Sequence, residues 1–181
     1  MTVGVFGGSF NPPHVGHVLA VAYVLSVAPV DRVLVVPCFD HPFGKALAPF
    51  VHRRAMCELA WRDLARVEVS SIEQEMGATS RTLYTLRALA AQHPNWSLRL
   101  VVGADILDER DKWFGWDEIV RLAPPIVLGR MGHSHAEAPM PVVPEVASRD
   151  VRAMLARGED VSPMVPRAVL AYAREHGLYR A

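Results

Sequence analysis

The sequence predicts an α/β protein, a doubly wound parallel sheet with helices on both faces and a small helical portion at its C-terminal end. Three observations predict it. Short apolar runs, such as Val33 to Val36 and Leu98 to Val102, read as strands buried on both faces. Helical patterns alternate with these runs, an order that lays the strands parallel with helices across them. A glycine-rich turn directly follows the first strand, at the sheet edge where open α/β folds carry their binding loops.

The totals narrow the function. With 181 residues the chain is long enough for one domain with a proper core and short for two, so residues 1–181 are expected as a single domain. A hydrophobic content of 51% excludes a disordered chain. Lys+Arg and Asp+Glu balance at 19 each, so neither a nucleic-acid nor a membrane partner is expected, and phosphate chemistry must use local charge. Cys38 and Cys57 form no C-x-x-C pair, which argues against structural zinc and disulfides; both read as buried small apolar residues. The apolar stretch from Val15 to Val30 is interrupted by His17, Tyr23 and Ser26 and closes at Pro29, too short to span a bilayer. No basic segment precedes it, and the expected compartment is the cytoplasm.

The first strand is expected from Thr2 to Phe6. Gly7 and Gly8 then permit a sharp turn at positive φ and close approach of a ligand, and Pro12 and Pro13 stiffen the exit. From His14 the run V-G-H-V-L-A-V-A-Y-V-L-S-V-A is apolar almost all round, which predicts a helix packed into the interior. A glycine-rich turn from Gly7 through Ser9 and Phe10 into a helix N-terminus gathers backbone N–H groups beside the positive end of a helix dipole, a site for phosphate. His14 and His17, three apart, fall on one helix face and can point at one anion; helix-surface histidines are the plain alternative. The P-loop pattern and G-x-G-x-x-G are both absent.

The string G-G-S-F-N-P-P-H-x-G-H, at the end of a first strand, resembles the signature of the H-x-G-H nucleotidyltransferases. Its wording is most similar to that of the bacterial nicotinate-mononucleotide adenylyltransferases. The resemblance runs along the whole chain, strongest at residues 4–17, 103–114 and 166–179. It implies a Rossmann-like sheet of the nucleotidyltransferase type.

The later elements follow in order. Val33 to Pro37 is a second strand, and the Pro- and aromatic-rich segment after it lies at the same edge as Gly7. There the family carries P-P-H-[KR], so the resemblance implies a phosphate contact for Lys45, although the family histidine is missing. A solvated lysine is the alternative. Val51 to Leu64 is expected as a scaffold helix and Val67 to Val69 as a short third strand. The next helix has Thr79 or Ser80 as a candidate cap. The family reads Y-T-x-x-T-L here, and this chain keeps Thr79, Thr82 and Leu83 but has Ala78 for the tyrosine. The resemblance implies that Thr79 helps hold a pyridine carboxylate.

Leu98 to Val102 ends in G-A-D, placing Asp105 where its carboxylate can bond a ligand or cap the following helix. Lys112-Trp113-Phe114 resembles the family's K-W-[YF], which implies that Trp113, with Phe114 beside it, binds the pyridine ring; Trp113 next to a charged pair is not an obvious core position. Pro125 to Leu128 is a fifth strand, and Arg130 matches the family arginine after it. His133 and His135 lack a third ligand nearby and read as surface loop, so no protein-held metal is expected. A short strand precedes a helix starting at Ser148, where the family's I-S-S-T-x-[IV]-R grips triphosphate. Ser148, Val151 and Arg152 match, while Ala147 and Arg149 replace a serine and a threonine. A guanidinium at Arg149 can hold phosphate in place of a hydroxyl. The last helix has Pro166 in its first turn and Gly177 as its stop.

The resemblance implies transfer of the adenylyl group of ATP to nicotinate mononucleotide, with Mg²⁺ held mainly by substrate phosphates. His14 and His17 then donate to phosphate oxygens. Two alternatives stay open: a sister enzyme using nicotinamide mononucleotide, phosphopantetheine or another phosphate acceptor, and a nucleotide-binding protein with little catalysis. Homo-oligomerisation is left open as well.

Overall fold

The computed structural model describes residues 1–40, 46–77, 81–130, 138 and 141–180. Lys45, Thr79, Ser80, His133 and His135 lie outside the described residues. Arg130 is described only as the last residue of a strand.

Successive residues of a strand face opposite sides of a sheet, and in this chain both sides of the central strands are apolar. Strands β1 (Thr2–Gly8), β2 (Arg32–Pro37) and β4 (Ser97–Gly103) send Val3, Val5, Leu34, Val36, Leu100 and Val102 into one core cluster. Val33, Val35 and Val101, one residue out of phase, enter a second. Each such side chain, once fully buried, stabilises the fold by roughly 1.5–3 kcal/mol relative to exposure. Strands β3 (Val67–Val69), β5 (Pro125–Arg130) and the short β6 (Pro141–Val143) complete a sheet of order β3-β2-β1-β4-β5-β6 in which every pairing is parallel.

Helices cover both faces. Over the first cluster lie α3 (Ile72–Met76), α4 (Thr82–Gln92) and α6 (Trp116–Leu122), through Ile72, Leu83, Leu86, Leu89 and Ile119. Over the second lie α1 (Val15–Val27) and α2 (Phe50–Trp61), through Ala20, Val21, Val24, Cys57 and Trp61. A one-turn helix, α5 (Ala104–Asp108), follows β4 directly. The C-terminal helices α7 (Ser148–Ala156) and α8 (Arg167–Glu175) gather a third cluster of Val151, Val161, Val165, Val169 and Leu170 around Met56 of α2. The helical C-terminal portion is therefore seated on the sheet through α2.

Several local expectations change. Helix α1 is not buried all round: Gly16, Ala20, Val21 and Val24 face the sheet, whereas Leu19 and Val27 are exposed, because only one face of a helix can meet a sheet. Helix α4 starts at Thr82 with Arg81 as its N-cap, so Thr79 and Ser80 precede the capping position. Cys57 is buried as expected, but Cys38 is only partly so, lying at the sheet edge beside Gly8. No helix among the described residues is long and apolar enough to cross a membrane.

Candidate active site

The chain runs from β1 to β2 and β3 on one side, then crosses β1 to build β4, β5 and β6 on the other. That reversal splays the connections after β1 and β4 and leaves a crevice at their carboxyl ends. Two cavities meet there, of about 780 Å³ and 500 Å³, sharing Phe6, Gly7, Ser9, Gly103 and Ile106.

The larger cavity is lined by Ser9 to Asn11, His14, His17, Asp105 and the start of α7. Its loop is anchored by its carbonyl oxygens. Gly8 O accepts from Cys38 N at 2.9 Å, and Ser9 O from Arg53 Nη1 at 3.1 Å. Asn11 O accepts from Arg152 Nη1 at 2.7 Å and Pro12 O from Ser148 Oγ at 2.8 Å. In a trans peptide the following N–H points opposite to the carbonyl, so anchoring Gly8 O and Ser9 O turns the Ser9 and Phe10 N–H groups the other way. Neither N–H meets an acceptor among the described residues. Two backbone donors at the entry to a helix make an anion-binding concavity.

The glycines here act through size. Neither Gly7 nor Gly8 takes positive φ, contrary to expectation; the turn is made by Phe10, at φ 45°. Both glycines are still the last residues of β1, and a Cβ on Gly8 would lie 2.9 Å from the Phe10 ring packed beneath it. At the neighbouring strand end, a Cβ on Gly103 would collide with the Asp105 carboxylate.

His14 is the N-cap of α1 and is 5% exposed; its ring stacks on that of His17 with centroids 3.7 Å apart. The His14 backbone N–H donates to His17 Nδ1 at 3.1 Å. An Nδ1 that accepts has no proton of its own, so neutral His17 carries its proton on Nε2. The edge-on Phe10 ring, 5.0 Å from His17, braces the imidazole. Helix α1 thus begins with two imidazoles and no acidic side chain in its first turn.

Arg149 lines this cavity with a largely exposed side chain whose Nε bonds Asp150 at 3.1 Å. Ser148 and Arg152 also line it while bonding the loop carbonyls, so both brace the loop whatever else they touch.

The smaller cavity has a different character. Val5, Val36, Leu86, Leu100 and Ile119 form its apolar wall, with Glu73, Arg81, Thr82, Thr85, Lys112, Trp113 and Phe114 around them. Trp113 is half-buried, packing against the first core cluster as well as lining the cavity, with Trp116 edge-on at 5.7 Å. Gly115 follows at φ 72°, where its Cβ would also meet Leu83, so the chain turns immediately after Trp113-Phe114 at a position suited to glycine. Phe114 is 51% exposed, with the Arg81 guanidinium 4.8 Å from its ring centroid. A bidentate pair, Arg87 Nε and Nη2 to the Glu118 carboxylate at 2.7 Å each, ties α4 to α6 behind this wall. Glu73 accepts from Thr85 Oγ1 at 2.8 Å and from Phe39 N at 3.0 Å. Burial is the main cause that pushes the Cys38 thiol up, with the Arg53 charge opposing it, so Cys38 is a neutral wall group.

Sequence reasoning missed Asn11, Arg53, Glu73, Arg81, Thr82 and Thr85. Arg53 carried no sequence signal: buried to 1%, it bonds the carbonyls of Ala48, Ser9, Cys38 and Phe39. Thr82 stood in the quoted family motif and could have been named. Among the described residues no group of three or more His, Cys, Asp or Glu is arranged to hold a metal ion.

The profile of the Cytidylyltransferase-like family matches residues 5–162. A probable nicotinate-nucleotide adenylyltransferase of Anaeromyxobacter sp. (strain K) is 48% identical over 181 residues, covering 98% of this chain and 96% of the relative. The chain belongs to the nicotinate-nucleotide adenylyltransferases. The family's breadth is seen in a Thermus thermophilus relative, 36% identical and covering 99% of this chain and 100% of its own. Among solved structures, the Plasmodium falciparum nicotinic acid mononucleotide adenylyltransferase complexed with NaAD superposes with a TM-score of 0.85 at 18% identity, covering 98% and 97% of the two chains. That likeness is one of fold, an α/β nucleotidyltransferase sheet of parallel strands.

Proposed function

We propose that the protein transfers the adenylyl group of ATP to nicotinate mononucleotide, forming nicotinate adenine dinucleotide and pyrophosphate in pyridine nucleotide biosynthesis. The observation that carries this reading is the pair of unlike cavities joined at Gly7, Ser9 and Gly103. One offers backbone amides, imidazoles and arginines to phosphates; the other offers an apolar wall and an indole to a flat ring. The whole chain acts as one nucleotidyltransferase domain in this reading, since its C-terminal helices pack on α2, and α7 braces the loop. Its substrates are soluble nucleotides, and the cytoplasm is the compartment we assign.

An oxygen of the mononucleotide phosphate attacks the α-phosphorus of ATP. The bond from that phosphorus to the bridging oxygen breaks, and pyrophosphate leaves with the electron pair. The nucleophile is ionised near neutral pH, so the protein needs no strong base; its task is to align the two phosphates and stabilise charge. His17, through Nε2–H, and His14 donate to the α-phosphate oxygens and the leaving group. The Gly7 to Phe10 backbone cradles the phosphates, with Arg149, Arg152, Arg130 and Lys45 adding positive charge. Thr79, Trp113 and Phe114 hold the pyridine end. Asp105 is the one carboxylate among the described residues lining the larger cavity, a donor set that fits Mg²⁺ held mainly by substrate oxygens. When bound, Mg²⁺ neutralises phosphate charge.

The test is product identity. ATP labelled in its α-phosphate, with nicotinate mononucleotide and Mg²⁺, is expected to yield labelled nicotinate adenine dinucleotide and one pyrophosphate per dinucleotide. ATP that binds without any labelled dinucleotide forming would replace this reading with a nucleotide-binding protein.

A further inference from the structure

Asn11 sits in the middle of the anchored loop and is 1% exposed. Its side-chain oxygen accepts twice, from Ala48 N at 3.1 Å and from Tyr179 Oη at 2.8 Å. The Ala48 N–H can only donate, which fixes the atom it meets as Oδ1 and makes the tyrosine hydroxyl a donor too. Nδ2 is consequently turned into a buried position without an acceptor among the described residues. An amide is held that way only if the bonds to its oxygen outweigh the unmet donor. Tyr179 is 168 positions away in sequence, in the turn after α8. It holds φ at 63°, a conformation that a bulky residue resists, and its ring packs against the third core cluster. Burial keeps the phenol protonated far above neutral pH, so the donor is permanent.

We propose that Tyr179 is a positioning residue for adenylyl transfer: acting through Asn11, the C-terminal turn fixes the loop whose Ser9 and Phe10 amides and His14 face the phosphates. The inference rests on the proposed function for its kinetic readout, but not for its structural one. Neighbouring anchors reach the same loop backbone, Arg152 at Asn11 O and Ser148 at Pro12 O, yet Tyr179 is the tie that grips the Asn11 side chain from the chain end.

Tyr179→Phe keeps the ring and its packing and removes one oxygen. Its kcat is expected to fall about fivefold, the size of one hydrogen bond's net contribution, with KM for the mononucleotide within about twofold of wild type. Amides of residues 7–11 should exchange with solvent faster, while those of β5 keep their protection. Tyr172→Phe removes a comparable bond from the same C-terminal region, to His52 Nδ1 at 3.0 Å and away from the loop, and should leave kcat unchanged. An unchanged kcat and unchanged loop exchange in Tyr179→Phe would overturn the proposal, as would an equal loss of kcat in Tyr172→Phe. If the wild-type protein makes no dinucleotide, the proposed function fails by itself, and loop exchange alone decides the role of Tyr179.

Discussion

The two cavities are built from the chain in opposite ways. On the phosphate side the backbone donors and both imidazoles come from one stretch, residues 7–17, whose backbone is pinned by donors arriving from α2 and α7 and whose Asn11 side chain is held from the C-terminal turn. The ring side is assembled from separate elements, with β1, β2, β4, α4 and α6 giving its apolar wall and α3, α5 and the segment after it adding single residues, and its rim residues Arg81 and Phe114 are exposed. The contrast follows from the ligands. Phosphates require several converging N–H donors that do not reorganise during the reaction, which a braced loop supplies. A flat ring requires apolar area and one stacking partner, which dispersed side chains supply.

If the division is real, mutations on the two sides should fail differently. His17→Ala removes an oxyanion donor from the phosphate side, and kcat should fall on the order of 100-fold with the protein still folded and KM for the mononucleotide little changed; steady-state kinetics beside a thermal melt checks this. Gly8→Ala places a methyl group against Phe10, which cannot retreat because it is buried under His17 and Trp61. A loss of about 1–3 kcal/mol in unfolding stability is expected, together with lower kcat. Trp113→Ala acts on the ring side: KM for the mononucleotide should rise about tenfold while KM for ATP stays near wild type, a split readable from paired saturation curves. Arg81→Gln should have the smallest effect, a rise of about threefold in mononucleotide KM that shrinks as salt is added, since the charge is exposed. A Trp113 variant that lost kcat and ATP affinity equally would erase the distinction.

The same contrast explains what the sequence disclosed. The sheet was legible because a parallel strand covered on both faces carries a continuous apolar run, as in Val33 to Val36 and Leu100 to Val102. The phosphate side was legible because contiguous residues stay neighbours when the chain folds. Short helices such as Ile72–Met76 and Trp116–Leu122 went unread because five to seven residues cannot display a helical period. Arg53 was hidden for another reason: burying an arginine is costly and becomes sustainable only once four loop carbonyls converge on it, which no local pattern announces. Glu73 and Thr85, bonded across α3 and α4, are likewise joined only by the fold. The turn at Gly7-Gly8 was expected for backbone freedom, whereas packing against Phe10 is what excludes a side chain at Gly8.

The most direct test of the central claim is kcat/KM for nicotinate mononucleotide, nicotinamide mononucleotide and phosphopantetheine, each with ATP and Mg²⁺ and followed by pyrophosphate release. A strong preference for nicotinate mononucleotide is predicted, because the second cavity is shaped for a flat ring and Arg81 stands at its rim. A preference for phosphopantetheine would keep the phosphate side and its mechanism but contradict the ring pocket.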